Sequence, residues 1–316
     1  MDKIRIGISS CLLGRKVRYD GQHKRDSYIV GTLSNWFEFV PVCPELEFGL
    51  GVPRETIRLE GDPERPRLVK SQSGEDLTEG MERFCRGRVA ELERENLGGY
   101  ILKRGSPSCG MERVKVYSAK GMPSNKGRGI YASALMERFP LIPVEEEGRL
   151  NDAALREAFI EQVFTLHRWR RMLAEKCTRG GLVKFHEQHK YLLMAHSPKH
   201  YRALGRVVAD MKGKDLAAVQ AAYLEELVAA LRLRATVAKH VNVLQHLCGY
   251  FKRQLDGDEK AELQETIADY RAGHFPLIVP ITILNHYIRK YDEPYLKDQV
   301  YLKPGPTELR LRNQVY

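Results

Sequence analysis

The stretch Gly99-Tyr100-Ile101-Leu102, followed after Lys103 by Arg104-Gly105-Ser106-Pro107-Ser108-Cys109-Gly110, decides the fold of the first half of the chain. A short apolar run that ends in small residues and a proline is typical of a buried strand that leads into a tight loop. Two earlier apolar runs, ending near Cys11 and at Cys43, have the same form. Helical periodicity separates such runs, so we predict an α/β domain with a Rossmann-like parallel sheet and helices on both faces.

The predicted elements of this first domain alternate along the chain. The strands are Ile4–Ile8, Phe37–Val42 and Gly99–Leu102. One helix runs from about Asp76 to Asn96, and another begins near Ile130. Parallel strands place their carboxyl ends at one edge of the sheet, where α/β proteins bind ligands. We therefore expect the functional residues at that edge.

The second half of the chain changes character and predicts an all-α domain. Apolar residues from Leu155 to Leu173 recur at helical spacing, and further helices are predicted at about 181–196, 199–211, 215–248 and 258–272. The end of the chain, rich in prolines and tyrosines, is interpreted as an irregular arm. We place the two domains at residues 1–148 and 149–316.

Composition indicates an ordinary globular protein, with 43% hydrophobic and 29% charged residues. The N-terminus lacks the apolar segment of a signal peptide, and the apolar run Phe275–Leu284 is too short to span a bilayer. We expect a cytoplasmic protein with no membrane partner. The sequence does not indicate the oligomeric state.

The net charge of +10 is distributed unevenly. Residues 1–150 hold 25 Lys and Arg against 22 Asp and Glu, whereas the remainder holds 26 against 19. A basic second half is consistent with an anionic macromolecule as substrate or partner, and equally with a generally basic solvated surface.

The six cysteines contain no C-x-x-C pair, so any metal site must be assembled by the fold. Cys11, Cys43 and Cys109 each follow a predicted strand and can converge at one sheet edge. Three converging thiolates can hold zinc with a water, or an iron–sulfur cluster with one iron left open. The alternative is three small residues in tight turns. Cys85, Cys177 and Cys248 are expected to pack in the core.

Two polar positions share the predicted edge. Glu45 follows Cys43 and Pro44, and a carboxyl group there can act as general acid or base; it can also be a solvent-facing glutamate. Ser106 and Ser108 flank Pro107, and either hydroxyl can face the site.

Three motifs together resemble the signature of the thiouracil desulfidase family: SSCLLG at 9–14, VCPE at 42–45 and SPSCG at 106–110. The resemblance covers about residues 3–145. The helical remainder, with KFHEQHKYLLMAHSPKHY at 184–201, resembles a second domain often fused to it. The whole chain resembles two-domain bacterial desulfidases that remove sulfur from 4-thiouridine in tRNA.

The resemblance implies a 4Fe–4S cluster held by Cys11, Cys43 and Cys109, with one iron open to the thiocarbonyl sulfur. It also implies catalytic roles for Glu45 and Ser106. The reaction is then a hydrolytic, non-redox change of C=S to C=O, with Glu45 moving protons and Ser106 binding the base or relaying a proton.

Two basic stretches are candidate RNA contacts. The Gly-rich segment Lys120–Gly129, with Lys126 and Arg128, leads into a helix whose N-terminus suits a phosphate. In the second domain, Lys184, Lys190, Lys199 and Arg202 lie among His186, His200, Tyr191 and Tyr201, a pattern that suits phosphate contacts and base stacking. A flexible loop and a solvated helix face are the simpler interpretations.

We therefore predict an enzyme that converts 4-thiouridine in tRNA to uridine. Two alternatives remain open on the sequence. The substrate can be free thiouracil or a thionucleoside, with the helical domain serving oligomerisation. The protein can also be a non-enzymatic RNA-binding protein whose cysteines hold a sensory cluster.

Overall fold

The structure is a computed structural model that describes residues 3–314. The chain forms two compact units that divide between Phe159 and Ile160, inside the helix Ala153–Glu175. The first unit is α/β and the second is helical, which confirms the predicted fold class.

The first unit contains eight strands and four α-helices among the described residues. The strands are β1 Ile4–Ser9, β2 Phe37–Val42, β3 Ile57–Asp62, β4 Arg65–Lys70, β5 Gly99–Leu102, β6 Val114–Tyr117, β7 Pro123–Gly127 and β8 Val144–Glu146. The helices are α1 Ser27–Gly31, α2 Pro44–Glu47, α3 Thr78–Glu91 and α4 Ile130–Arg138.

The predicted parallel sheet is present, with the strand order β2-β1-β5-β8 and every neighbouring pair parallel. Its central strands are buried almost continuously, as expected of strands covered on both faces. A Cβ on Gly7 of β1 would lie 2.2 Å from the ring of Tyr100 in β5. Because glycine has no side chain, the Tyr100 ring can pack directly against β1. In this strand order β2, β1 and β5, the three strands that precede the cysteines, are adjacent, and their carboxyl ends share one edge of the sheet.

A second four-stranded sheet, in the order β4-β3-β6-β7, was not predicted. It combines the antiparallel pairs β3–β4 and β6–β7 with a parallel β3–β6 pair. Its strands are partly exposed and rich in charged residues, so their apolar pattern is weak. Strand β7 takes up Pro123–Gly127, which the sequence had assigned to a loop.

The second unit is all-α. The helices are α5 Ala153–Glu175, α6 Arg179–His196, α7 Pro198–Ala209, α8 Leu216–Arg232, α9 Val237–Cys248, α10 Gly257–Ala272, α11 Ile278–Lys290 and α12 Pro294–Lys297. The helix predicted over 215–248 is two helices, because Thr236 caps α9 by accepting the N–H of Lys239. Helix α11 was not predicted; its Pro280 lies in the first turn, where proline is tolerated.

The helical unit has a single large apolar core built around Trp169 and Tyr223, whose rings stack with centroids 5.3 Å apart. The chain beyond α12 packs on this core through Tyr301 and Leu302. Among residues 3–314 no helix combines the length and the apolar character needed to cross a membrane.

Candidate functional site

A cavity of about 250 Å³ opens at the carboxyl edge of the parallel sheet, and we call it the thiol cavity. All five residues predicted for the chemistry line it: Cys11, Cys43, Glu45, Ser106 and Cys109. The parallel register of β2, β1 and β5 brings them together, because each segment leaves its strand at the same edge.

The first two cysteines occupy short turns directly after their strands. Cys11 lies in a 3₁₀ turn, Ser10–Leu13, that ends at Gly14 with a φ of +92°. Cys43 precedes Pro44, the first residue of α2, and its backbone N–H donates to the Glu47 carboxylate over 2.8 Å. Each thiol is thus attached to a backbone that is held by its own turn.

The turn that carries Cys109 is organised by Ser106. The Ser106 hydroxyl oxygen accepts the backbone N–H groups of Ser108 and Cys109, each over 3.2 Å. The carbonyl of Pro107 accepts the N–H of Ile130, and the carbonyl of Ser108 accepts the N–H groups of Tyr131 and Ala132. The Cys109 turn is therefore fastened to the N-terminus of α4.

This arrangement corrects one prediction. The free N–H groups at the start of α4 were expected to suit a phosphate, but the carbonyls of Pro107 and Ser108 already occupy those of Ile130, Tyr131 and Ala132. The start of α4 positions the cysteine turn and has no N–H group left there for a phosphate.

The thiols sit in a poorly solvated environment. Burial raises the pKa of Cys11 to about 11, against a smaller lowering by Lys103. Burial also raises the pKa of Cys43, and it raises that of Cys109 well above the ordinary value, with Glu45 adding to the effect. Cys43 raises the pKa of Cys11, and both Cys43 and Cys11 raise that of Cys109. Ionising all three requires a cation beside them.

The Glu45 carboxylate is held from two sides. Arg54 donates to Oε2 through Nη2 over 2.6 Å and through Nε over 3.2 Å. Ser108 donates to Oε1 over 2.5 Å, and Ser106 donates to the same oxygen over 3.2 Å. The interpretation of Glu45 as a solvent-facing glutamate is wrong, because its side chain is only 15% exposed.

Sequence reasoning missed Arg54. Its guanidinium is 5% exposed and also donates to the carbonyls of Val17 and Gly51. The local pattern around GVPRE does not mark this arginine, since its contact with the Val17 carbonyl depends on the fold. Ser108 was recognised only as the alternative to Ser106; it is fully buried and lies between Glu45 and the Cys109 sulfur.

Within residues 3–314, no group of three or more His, Cys, Asp or Glu side chains is placed to hold a metal ion. Thiolates that bind different irons of a cluster need no common atom, so three cysteines around one cavity fit a cluster in their donor chemistry.

In the first unit, Lys126 and Arg128 are not among the residues that line the thiol cavity. Lys126 and Arg128 are exposed and line an open groove of about 890 Å³ that also contains four glutamates. In the helical unit Lys184, Lys199 and Arg202 are exposed, and Lys190 is half-buried with its ammonium 5.1 Å from the ring centre of Tyr191.

Several predicted partners of these cations are engaged in the helical unit itself. Tyr191 is 1% exposed, so it cannot offer a stacking face. His186 stacks on Tyr201, and His200 pairs with Glu226 over 2.8 Å.

The other cysteines differ in burial. Cys85 is buried in α3 as expected, and Cys248 packs at the edge of the helical core. The expectation that Cys177 is also a core residue is wrong, because Cys177 lies in the connection between α5 and α6 and is exposed.

Comparison with known families places two matches along the chain. Residues 6–147 match the model described as 2-thiouracil desulfurase, and residues 190–306 match a family described as a protein of unknown function, DUF1722. The first match spans the thiol cavity, and the second lies within the helical unit.

Two curated proteins are similar to parts of the chain. The uncharacterized protein YbgA of Escherichia coli (strain K12) is 34% identical over 153 residues, which are 48% of this chain and 90% of that protein. The uncharacterized protein YbbK of Bacillus subtilis (strain 168) is 32% identical over 152 residues, which are 46% of this chain and 98% of that protein. A solved structure titled 4Fe-4S-dependent thiouracil desulfidase TudS is 32% identical, with a TM-score of 0.40, and the match covers 49% of this chain and 97% of that one.

Proposed function

The chain belongs to the 2-thiouracil desulfurase family, and we propose that it is a desulfidase whose substrate is 4-thiouridine within tRNA. We assign the reaction to residues 1–148 and tRNA binding mainly to residues 149–316. The observation that carries the proposal is the meeting of Cys11, Cys43, Cys109, Glu45 and Ser106 around one cavity.

The proposed cofactor is a 4Fe–4S cluster held by the three cysteines. Their donor set supports it: three poorly solvated thiols line one cavity, and Cys43 raises the pKa of the other two. When bound, such a cluster with three protein ligands supplies an open Lewis-acidic iron for the thiocarbonyl group.

The reaction we propose adds one water to the thiolated ring carbon and releases the sulfur as sulfide, so that no electrons are transferred. Glu45 is suited to take the proton of the attacking water, since its carboxylate lines the cavity. Arg54 holds Oε2, which leaves Oε1 toward the two serines. Ser106, which lines the cavity, binds the base or returns the proton through its contact with Glu45.

Binding of tRNA is supported by charge. The exposed Lys184, Lys199 and Arg202, together with the half-buried Lys190, lie on α6 and α7 of the helical unit. Lys126 and Arg128 add two exposed cations in the first unit. Cations of this kind contact phosphates and position an RNA without reading its sequence.

The decisive test is anaerobic purification followed by an iron and sulfide count and two parallel assays. One assay measures loss of 4-thiouridine from tRNA, and the other measures desulfuration of free 2-thiouracil. We expect a cluster-loaded protein with the higher kcat/KM on tRNA. An iron-free protein would contradict the cofactor assignment, and activity on the free base alone would assign the helical unit another role.

Glu45→Ala separates catalysis from cofactor binding. The variant should keep its iron but lose turnover, because the carboxylate, and not a ligand, has been removed. A cluster-loaded wild type that binds RNA and desulfurises neither substrate would instead support a sensory role.

A further inference from the structure

The segment Gly14–Arg25, which we call the basic loop, lies at the entrance of the thiol cavity. It connects the Cys11 turn to α1, and its residues Val17, Arg18 and Tyr19 line the cavity.

The backbone of the basic loop is held in place. Lys24 and Asp26 donate their N–H groups to the carbonyls of Cys11 and Leu12, each over 2.9 Å, which closes the base of the loop. At the cavity side, the carbonyl of Tyr19 accepts the backbone N–H of Arg54 over 2.9 Å. The loop is therefore a fixed wall of the site.

The charge of the loop is concentrated and largely uncompensated. It contains five cations (Arg15, Lys16, Arg18, Lys24 and Arg25) and one carboxylate, Asp20, which pairs with Arg18 over 3.7 Å. The other four cations are exposed, and within residues 3–314 none of them has an ion-pair partner. By contrast, Glu45 and Glu147 compensate Arg54 and Lys103 of the cavity.

An aromatic ring accompanies these cations. Tyr19 is 41% exposed although it lines the cavity, and the Arg18 guanidinium lies 5.4 Å from its ring centre. Proteins that bind single-stranded RNA stack its unpaired bases on exposed aromatic rings, and nearby cations attract its phosphate backbone.

We propose that the basic loop binds the RNA backbone beside the thiolated nucleoside, with Arg15, Lys16, Lys24 and Arg25 on phosphates and Tyr19 stacked on a base. This rests on the proposed function for the identity of the polyanion. The groove at Lys126 and Arg128 is the weaker candidate for this contact, because its four glutamates offset four of its six cations, whereas the loop has five cations and one carboxylate.

The test compares two double variants with a matched control. Arg15→Ala/Lys16→Ala and Lys24→Ala/Arg25→Ala each remove two loop charges. Arg94→Ala/Lys115→Ala removes two exposed cations of the same unit outside the loop. Binding of 4-thiouridine-containing tRNA and of the same tRNA without thiolation is measured against salt concentration.

Each lost phosphate contact should reduce the slope of log K against log salt by about 0.7–0.9, so each loop double variant should lose about 1.5. The control should keep the wild-type slope. Tyr19→Ala should weaken binding roughly fivefold or more, and Tyr19→Phe should recover most of that loss because stacking uses the ring.

The readouts distinguish the two proposals. If wild-type protein binds tRNA but desulfurises only the free base, the proposed function fails while the loop is still tested by the salt slopes. If both loop variants keep the wild-type slope, or if the control loses as much, the loop inference is wrong even when tRNA is desulfurised.

Discussion

The guanidinium of Arg54 lies 2.6 Å from one carboxylate oxygen of Glu45, and both side chains are largely removed from solvent. The same arginine donates to the carbonyl of Val17 in the wall of the thiol cavity. Arg54 therefore couples the orientation of the proposed proton-transfer group to the shape of the cavity.

Removing this arginine should abolish most of the activity without removing the cofactor. Arg54→Ala removes the support of Glu45 Oε2 and leaves only the serine contacts at Oε1, and a displacement of about 1 Å can cost roughly 100-fold in kcat. Arg54→Lys should restore little, because an ammonium cannot make the two-point contact of a guanidinium. We would measure kcat and iron content together, with Arg58→Ala as control, since its partner Glu60 lies on the partly exposed strand β3. A kcat near that of wild type would show that Glu45 needs no such support.

The three cysteines of the cavity should differ from the remaining ones in iron content. We expect iron and activity to be lost together in each of the variants Cys11→Ser, Cys43→Ser and Cys109→Ser. The reason is that each variant removes one of only three protein ligands of the proposed cluster. Cys177→Ser is the control, since this thiol is exposed in the helical unit. Iron and acid-labile sulfide per chain are the measurement, and a full complement in any cavity variant would remove that residue from the ligand set.

The close packing of α4 against the cysteine turn should make Gly129 intolerant of a side chain. A Cβ at Gly129 would lie 2.3 Å from the Ser108 carbonyl oxygen, so Gly129→Ala must displace the turn that holds Cys109. We expect a loss of about 1–3 kcal/mol of unfolding free energy, and reduced iron binding. Gly87→Ala on the exposed face of α3 meets no atom within 4 Å and should instead stabilise by about 0.5–1 kcal/mol. Denaturant unfolding of both variants decides the point.

The helical unit should lose stability in acid. Burial lowers the pKa of His189 and of His240 well below the ordinary value, Arg168 adding to the effect at His189 and Arg312 at His240. Below about pH 6.5 these histidines bind protons in the unfolded chain but not in the folded unit. Each of them therefore lowers the unfolding free energy by up to about 1.4 kcal/mol for every pH unit below that value. At Glu161 burial would raise the pKa, but Arg312 and other positive neighbours lower it to about 2. Its stabilisation is therefore present above about pH 4.5 and is lost between there and pH 2.

The fluorescence of Trp169, which is buried in the helical unit, reports unfolding of that unit when the other tryptophan is removed by Trp36→Phe. The unfolding free energy should fall between pH 7.5 and 5, and His189→Gln should reduce the slope. His274→Gln is the control, because that side chain is 68% exposed. Equal slopes in wild type and His189→Gln would contradict the assignment.

The parts of the fold that the sequence predicted are those with strong apolar patterns. The predicted strands at Ile4–Ile8, Phe37–Val42 and Gly99–Leu102 match β1, β2 and β5. The central strands β1 and β5 are buried almost throughout and therefore carry nearly continuous apolar residues. The second sheet was not predicted, because strands such as Pro123–Gly127 contain glycine, proline and charged residues and have no apolar pattern. Their strand conformation depends on hydrogen bonds to neighbours that are distant in sequence.

The sequence by itself determined the chemistry available to this protein: three cysteines, a glutamate and a serine directly after apolar strands, and an excess of cations. Only the tertiary structure decided how these groups are supported. The contacts of Arg54 with Val17 and of Ser108 with Glu45 join segments far apart in the chain. So do the packing of the Cys109 turn on α4 and the position of the basic loop at the cavity. The local pattern around a residue records its own propensity and burial, whereas a partner across the fold leaves no periodic signal.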